Sequence, residues 1–215
     1  LETGALIWKA AYHSIESASD TAYHHPQLID SIASEVAVLD SNGDGIEDRA
    51  YVGDTGGSVW RIDFPAGTST DNRASQWQIV KLADLDQQTE TVAADDADGS
   101  GTQLVDVDRR FFHRPDIVQT GYGASRFDAV ILGSGNRAAP KSTQVDNWLY
   151  LIKDPNPQSR PDPANWTPIT HDQLGDVSND CIDLNCSANL SKGWRIGLNA
   201  NGEKALSSPL TIQGQ

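Results

Sequence analysis

One nine-residue segment, Asp40-Ser-Asn-Gly-Asp-Gly-Ile-Glu-Asp48, has the residue types and spacing of a cation site. The side-chain oxygens of Asp40, Asn42, Asp44 and Asp48 fall at loop positions one, three, five and nine. The main-chain carbonyl of Ile46 at position seven adds a fifth oxygen, and we expect its side chain to pack away from the site. Ca²⁺ takes about six to eight oxygen ligands, whereas Mg²⁺ requires a smaller octahedral site that keeps several waters. The segment, hereafter the 40–48 loop, therefore predicts a calcium site with water completing the shell.

The 40–48 loop shares its first six positions with the EF-hand but is not an EF-hand. Position twelve is Tyr51, where an EF-hand supplies a bidentate glutamate, and the flanks Val36–Leu39 and Arg49–Val52 have the pattern of strands rather than helices. The alternative is an ordinary Asn-Gly or Asp-Gly turn with solvated acids, which is common in hairpins. Such a turn does not require acids at three of four spaced positions, so calcium is the favoured interpretation.

Other polar motifs predict neither a catalytic nor a cofactor-binding residue. Asp95–Gly101 resembles a second cation loop, but Leu104 stands where the closing acid would be, which favours a flexible acidic loop. His24 and His25 are adjacent on an expected strand, so they point to opposite faces and favour a turn entry before Pro26. No Gly-x-Ser-x-Gly elbow and no phosphate-binding glycine loop that leads into a helix occurs in the sequence.

The charge balance excludes some partners. The 215 residues carry 16 Lys and Arg against 30 Asp and Glu, a formal net charge of −14. This argues against nucleic acid and against docking on anionic lipid. No apolar run approaches the length of about 20 residues that spans a membrane, and no targeting segment opens the chain, so we expect any export signal upstream. Cys181 and Cys186 could close a short disulfide loop in an oxidising compartment or remain free thiols, whereas zinc would need further ligands.

Short apolar runs between clusters of Gly, Asn, Asp and Pro predict an all-β protein without long helices. The expected strands are Ala5–Trp8, Glu35–Leu39, Arg49–Val52, Ser58–Ile62, Trp77–Val80, Asp128–Leu132 and Asn147–Ile152. A weak repeat is present, because Ala50–Gly53 with Gly57–Asp63 has the same plan as Ala129–Gly133 with Asn147–Asp154. Both second strands carry a tryptophan, an aliphatic run and an aspartate at the exit. Repeated units of this kind predict a β-propeller, with a β-sandwich as the alternative.

We expect residues 1–215 to form a single domain or a fragment of a larger propeller. Two irregular regions, at about 84–102 and 154–190, are expected to be long surface insertions, because strand-like sequence resumes after each. Loops of this length on a rigid scaffold often carry binding sites.

Several segments, taken in order, resemble the C-terminal propeller of the PilY family, the calcium-dependent assembly factors and tip adhesins of bacterial type IV pili. The most specific is Asp40–Asp63, which contains the 40–48 loop and the strand pair after it. The shorter segments are Thr3–Trp8, Phe111–Val118, Ile131–Arg137, Leu149–Asp154, Lys192–Trp194 and Gly202–Leu210. Together they span nearly the whole chain.

This resemblance implies a calcium site that is coupled to pilus extension and retraction, and so to twitching motility and surface attachment. Its ligands would be Asp40, Asn42, Asp44, the Ile46 carbonyl and Asp48. It implies a quinoprotein-like propeller in shape only, without quinone-binding residues and without enzymatic activity. The expected partners are minor pilins or a host or surface ligand, at the cell surface, the pilus tip or the outer membrane.

Two other functions remain as alternatives. A quinone-dependent dehydrogenase is disfavoured because the sequence offers no arranged base or cofactor pocket. An integrin-type propeller is disfavoured because its calcium loop usually occurs in several consecutive repeats, whereas one convincing copy is present here.

Overall fold

The protein is all-β in the part of the chain that the structure describes. This computed structural model describes residues 4–14, 17–18, 22–65, 76–93, 102–120, 126–157, 159–179 and 187–212. The regular elements there are β-strands, apart from short 3-10 turns such as His171–Gln173. Within those ranges no helix has the length and apolar character needed to span a membrane.

Fifteen strands are described, numbered in chain order. They are β1 (Lys9–Tyr12), β2 (Ser17–Ala18), β3 (Ala22–His25), β4 (Ala37–Leu39), β5 (Arg49–Gly53), β6 (Ser58–Asp63), β7 (Gln78–Asp84), β8 (Gln87–Ala93), β9 (Thr102–Val107), β10 (Asp116–Thr120), β11 (Phe127–Gly133), β12 (Trp148–Asp154), β13 (Ile169–Thr170), β14 (Gly175–Asp176) and β15 (Gly193–Gly197).

Two five-stranded sheets carry most of the strands. The first sheet has the order β13-β7-β6-β5-β4, and the second sheet has the order β10-β11-β12-β15-β14. The pairs β4–β5, β5–β6 and β6–β7 in the first sheet and β10–β11, β11–β12 and β12–β15 in the second are antiparallel. The short edge strands β13 and β14 pair parallel with β7 and β15. A three-stranded sheet, β1-β3-β2, and the β8–β9 hairpin complete the described strands.

The main hydrophobic core lies between the first and second sheets. Alternate residues of each strand point to opposite faces, so one face of each sheet supplies this core. Its fully buried side chains include Tyr51, Val59, Leu82, Leu85, Phe111, Val130, Leu132, Tyr150 and Ile152. A second cluster of Leu28, Val52, Trp60 and Ile79 covers the other face of the first sheet, where Trp8, Ala10 and Tyr23 pack against it. The first sheet is therefore covered on both faces.

The predicted strand positions agree with the structure in six of seven cases. The exception is Ala5–Trp8, which was expected to be a strand; residues 4–8 are not in a strand, and pairing begins at Lys9, where β1 runs parallel to β3. Trp8 nevertheless packs against the second cluster, so its apolar character reflects side-chain packing rather than strand pairing. The described regular elements are nearly all strands, so the all-β class is confirmed. None of the described sheets is closed, so the propeller stays a prediction.

The two regions expected to be insertions contain regular structure in their described parts. Strand β8 lies within 84–102 and pairs antiparallel with β9, which begins at Thr102. Strands β13 and β14 lie within 154–190, and each pairs with one of the large sheets. Both regions are thus joined to neighbouring strands by backbone hydrogen bonds.

Candidate metal centre

The 40–48 loop connects β4 to β5 and is closed at its base by backbone pairing. Leu39 and Arg49 are register partners in the β4–β5 ladder. The amide of Asp48 donates to the carbonyl of Leu39 at 3.0 Å, and the carbonyl of Asp48 accepts from the amide of Phe64 at 2.8 Å. The predicted succession of strand, loop and strand is confirmed, and the last proposed ligand, Asp48, is fixed by both of its backbone groups.

The carboxylate of Asp40 organises the first half of the loop. Its Oδ1 accepts from the amides of Gly43 at 2.7 Å and Asp44 at 3.2 Å, and its Oδ2 accepts from Gly45 at 2.7 Å. The amide of Gly45 contributes most to holding the pKa of Asp40 below its usual value. Gly43 and Gly45 have φ of 80° and 88°, a left-handed conformation that favours glycine. The chain therefore winds tightly around the Asp40 side chain.

The other predicted ligands are engaged with the loop's own donors. Asp48 accepts from the amide and the hydroxyl of Ser41, both at 2.9 Å, and from Asn42 Nδ2 at 3.1 Å. Asn42 Oδ1 accepts from the amide of Asp44 at 2.8 Å, and Asp44 Oδ1 accepts from the amide of Ile46 at 2.9 Å. The side chain of Ile46 is 54% exposed, so it is not part of the hydrophobic core.

The donor set of the loop fits Ca²⁺ in chemistry, since it combines three carboxylates, an amide and a main-chain carbonyl, all hard oxygen donors. Among the described residues, no three or more His, Cys, Asp or Glu side chains are grouped closely enough to hold a metal. The three loop carboxylates instead accept the hydrogen bonds given above. A shared cation would require them to turn towards one point, so the five-ligand set stays a prediction.

A buried group of charged side chains lies behind the loop, between the two large sheets. This charged cluster consists of Arg49, Arg61, Asp63, Asp128 and Asp154, together with Tyr51. All six side chains are buried. Buried charges are tolerated only when they are paired and hydrogen-bonded. The contacts of the cluster meet that requirement with one exception.

Arg49 and Arg61 supply most of the pairing. Arg49 donates through Nε to Asp63 at 3.1 Å and through Nη1 to Asp128 at 2.6 Å. Arg61 donates through Nη2 to Asp63 at 2.8 Å and through Nη1 to Asp154 at 2.7 Å. Burial opposes the charge of Arg49, but Tyr51 and the neighbouring carboxylates raise its pKa above the usual value. Both guanidinium groups therefore remain charged.

Tyr51 lies between the two second-sheet carboxylates. Its Oη is 2.8 Å from Asp128 Oδ2 and 2.8 Å from Asp154 Oδ2, so its one proton can be donated to either. Burial, followed by these two negative charges, raises the pKa of Tyr51 well above its ordinary value and keeps the phenol neutral. The exception to full pairing is Asp128 Oδ1, which is buried without a hydrogen-bond partner among the described residues.

The loop also borders the second sheet through an open groove of about 500 Å³. Ser41, Asn42 and Asp48 of the loop line this groove together with Arg126 and Arg160. Outside the groove, Gln119 of β10 donates through Nε2 to the carbonyl of Ser41 at 3.2 Å. The loop therefore contacts β10 directly.

Comparison with known proteins places this geometry in a known fold. No protein-family model matches the chain, and no curated protein matches it. Among solved structures, the C-terminal domain of PilY1 from Pseudomonas aeruginosa matches with a TM-score of 0.53 and 20% identity, over 81% of this chain and 41% of that chain. The chain has the fold of part of the PilY1 C-terminal domain. The resemblance to PilY is thus confirmed as a likeness of fold, and the chain spans less than half of that PilY1 domain.

The weaker motifs have separate outcomes. His25 ends β3, and its Nδ1 accepts from the amide of Gln27 at 3.2 Å, which confirms the predicted turn entry. The rings of His24 and His25 contact different partners, His13 and Trp60. The acidic segment 95–101 and both cysteines, 181 and 186, lie outside the described residues.

The sequence-based reasoning missed the charged cluster. One signal was available, since the aspartates at the exits of both repeated strand pairs, Asp63 and Asp154, belong to it. The arginine that joins them carries no motif of its own. Its role is visible only when the two sheets are placed together.

Proposed function

We propose that the chain is a calcium-binding domain of a type IV pilus assembly and adhesion protein and that it acts without catalysis. The fold shared with the PilY1 C-terminal domain is the observation that supports this proposal most directly. The 40–48 loop supports the calcium part, because it concentrates five oxygen donors in a tightly wound segment between paired strands.

Asp40, Asn42, Asp44, the Ile46 carbonyl and Asp48 are the residues that would hold the ion. Calcium would compensate two of the three negative charges of the ligand carboxylates, which repel one another when no cation is bound. The tight turns at Gly43 and Gly45 allow the chain to bring these donors together. The loop would thereby gain a fixed shape that a partner can recognise.

We further propose that the two large sheets are adjacent blades of a quinoprotein-like propeller with long loop insertions. This is supported by the repeated antiparallel pairs β5–β6 and β11–β12, and by the core that packs the two sheets together. The protein would act at the bacterial surface, at the pilus tip or the outer membrane. Its partners would be minor pilins or a host or surface ligand, and calcium occupancy would support pilus extension and retraction, twitching motility and attachment.

Calorimetric titration with calcium tests the metal part. We expect Asp44→Ala and Asp48→Ala each to abolish calcium binding while the far-ultraviolet circular dichroism spectrum stays unchanged. Glu47→Ala is the matched control, because Glu47 is an exposed carboxylate in the same loop outside the proposed ligand set. Unchanged calcium affinity in both aspartate variants would refute the assignment.

The pilus part is tested in a piliated bacterium that carries the full-length protein. Asp48→Ala should reduce twitching zones and surface attachment, whereas Glu47→Ala should not. Equal motility and attachment in the two strains, at equal protein levels, would contradict a role for calcium in pilus function.

A further inference from the structure

Arg49 is placed where the loop meets the body of the protein. It follows Asp48 directly and begins β5, where its backbone pairs with Leu39. Its side chain is only 4% exposed. Asp48, the last proposed ligand, and Arg49, whose guanidinium is buried, are therefore consecutive in the chain where β5 begins.

The guanidinium of Arg49 reaches from the first sheet into the second. It donates to Asp63 on β6, its own sheet, at 3.1 Å. It also donates to Asp128 on β11 at 2.6 Å and to the carbonyl of Pro157, beyond β12, at 3.0 Å. Of these contacts, the two shortest are the ones to the second sheet or its continuation. A shift of Arg49 would accordingly disturb the docking of the two sheets.

The charges around Arg49 also bear on a cation in the loop. A divalent ion beside Asp48 would be repelled by the Arg49 guanidinium unless neighbouring carboxylates compensate that charge. Asp63 and Asp128 provide the compensation, and both are buried, where charge interactions are only weakly screened. Asp128 thus holds Arg49 in place and also reduces the repulsion that the ion would experience.

We infer that Arg49 is a positioning residue which couples cation binding in the 40–48 loop to the docking of the two sheets through Asp128. This inference rests on the proposed function, because it assigns a means of regulation to the same calcium loop. Linkage requires the coupling to be reciprocal: calcium strengthens the Arg49–Asp128 contact by the factor by which that contact strengthens calcium binding.

Calcium titrations of three proteins test the coupling. Asp128→Asn removes the charge opposite Arg49, and we expect it to weaken calcium affinity at least about fivefold, the lower end of typical coupling factors. Asp154→Asn is the matched control, since Asp154 belongs to the same cluster and is equally buried but pairs with Arg61 and Tyr51. Its calcium affinity should stay within about twofold of the wild-type value.

Hydrogen exchange distinguishes the proposed coupling from a purely structural role of Arg49, because only coupling makes exchange in the second sheet depend on calcium. In the wild-type protein, calcium should slow exchange in β11, the strand of the second sheet that carries Asp128. This effect should disappear in Asp128→Asn and persist in Asp154→Asn. Arg49→Lys keeps the charge but loses the forked geometry, so it should also lose the effect; it replaces Asp128→Asn if that variant does not fold.

The possible outcomes distinguish failure of this inference from failure of the proposed function on which it rests. A wild-type protein that binds no calcium overturns both proposals. A wild-type protein that binds calcium, with unchanged affinity in Asp128→Asn and Arg49→Lys, overturns the coupling alone and leaves the calcium site standing.

Discussion

Asp63 and Asp154, which end strands in different sheets, both bind the guanidinium of Arg61. The distances are 2.8 Å from Nη2 to Asp63 Oδ1 and 2.7 Å from Nη1 to Asp154 Oδ2. The two aspartates occupy the same place in the repeated strand pairs, at the exit of β6 and of β12. The equivalent aspartates of the weak sequence repeat therefore pair with the same buried arginine. The two sheets are held together by ion pairs as well as by apolar packing.

Replacing Arg61 with methionine should destabilise the fold by about 3–5 kcal/mol, because Asp63 and Asp154 would each lose a buried partner. Arg61 also donates to the carbonyls of Asn156 and Ser159, so the segment after β12 would loosen. Urea denaturation followed by tryptophan fluorescence measures the change.

The control for this experiment is Arg110→Met. Arg110 lies 4.0 Å from Asp108, and its side chain is 40% exposed, so the loss should be about 0–1 kcal/mol. A loss at Arg61 that is no larger than the loss at Arg110 would show that the charged cluster does not hold the sheets together.

His171 should make the fold less stable as the pH falls. Burial, followed by the charges of Arg109 and Arg195, lowers the pKa of His171 to about 3, and its Nδ1 lies 3.0 Å from the hydroxyl of Tyr150. Between the ordinary pKa of 6.5 and about 3, the unfolded chain binds a proton at this residue that the folded chain does not bind. The stability that His171 contributes above pH 6.5 is therefore lost progressively across that window.

Urea midpoints at pH 7 and pH 4.5 measure this effect. His171→Gln should show a smaller fall between the two pH values than the wild-type protein, because glutamine binds no proton. The exposed His13, changed to glutamine, should leave the fall unchanged. An equal fall in all three proteins would assign the pH dependence to the carboxylates instead.

Gly53→Ala should destabilise the protein by about 1–3 kcal/mol through overpacking. A Cβ at Gly53, the last residue of β5, would lie 2.5 Å from Cβ of Phe111, which is fully buried in the core. Thermal unfolding of the single and double variants with Phe111→Ala forms a double-mutant cycle. The cost of Gly53→Ala should shrink markedly when Phe111 is alanine, and an additive cycle would show that the clash is not the cause.

The sequence was most informative where the pattern is local. The strand pairs, the 40–48 loop and the turn at His25 each follow from neighbouring residues, and the structure has them where they were expected. The strand expected at Ala5–Trp8 failed because an apolar run can pack as an extended segment without a ladder partner. Trp8 contributes to the second cluster in that way.

The charged cluster could not be derived from the sequence for a different reason. Arg61 and Asp154 are 93 positions apart, and Tyr51 and Asp128 are 77 apart. Their pairing depends on how two sheets dock, and each residue alone has the pattern of an ordinary strand position.

Leu39 and Arg49 face each other on the last rung of the β4–β5 ladder, and the whole 40–48 loop lies beyond that rung. Backbone pairing thus closes the segment at its base, so a plain turn in its place should leave the alignment of β4 and β5 unchanged. Such a replacement would still remove the bonds that Gln119 and Phe64 make to the carbonyls of Ser41 and Asp48.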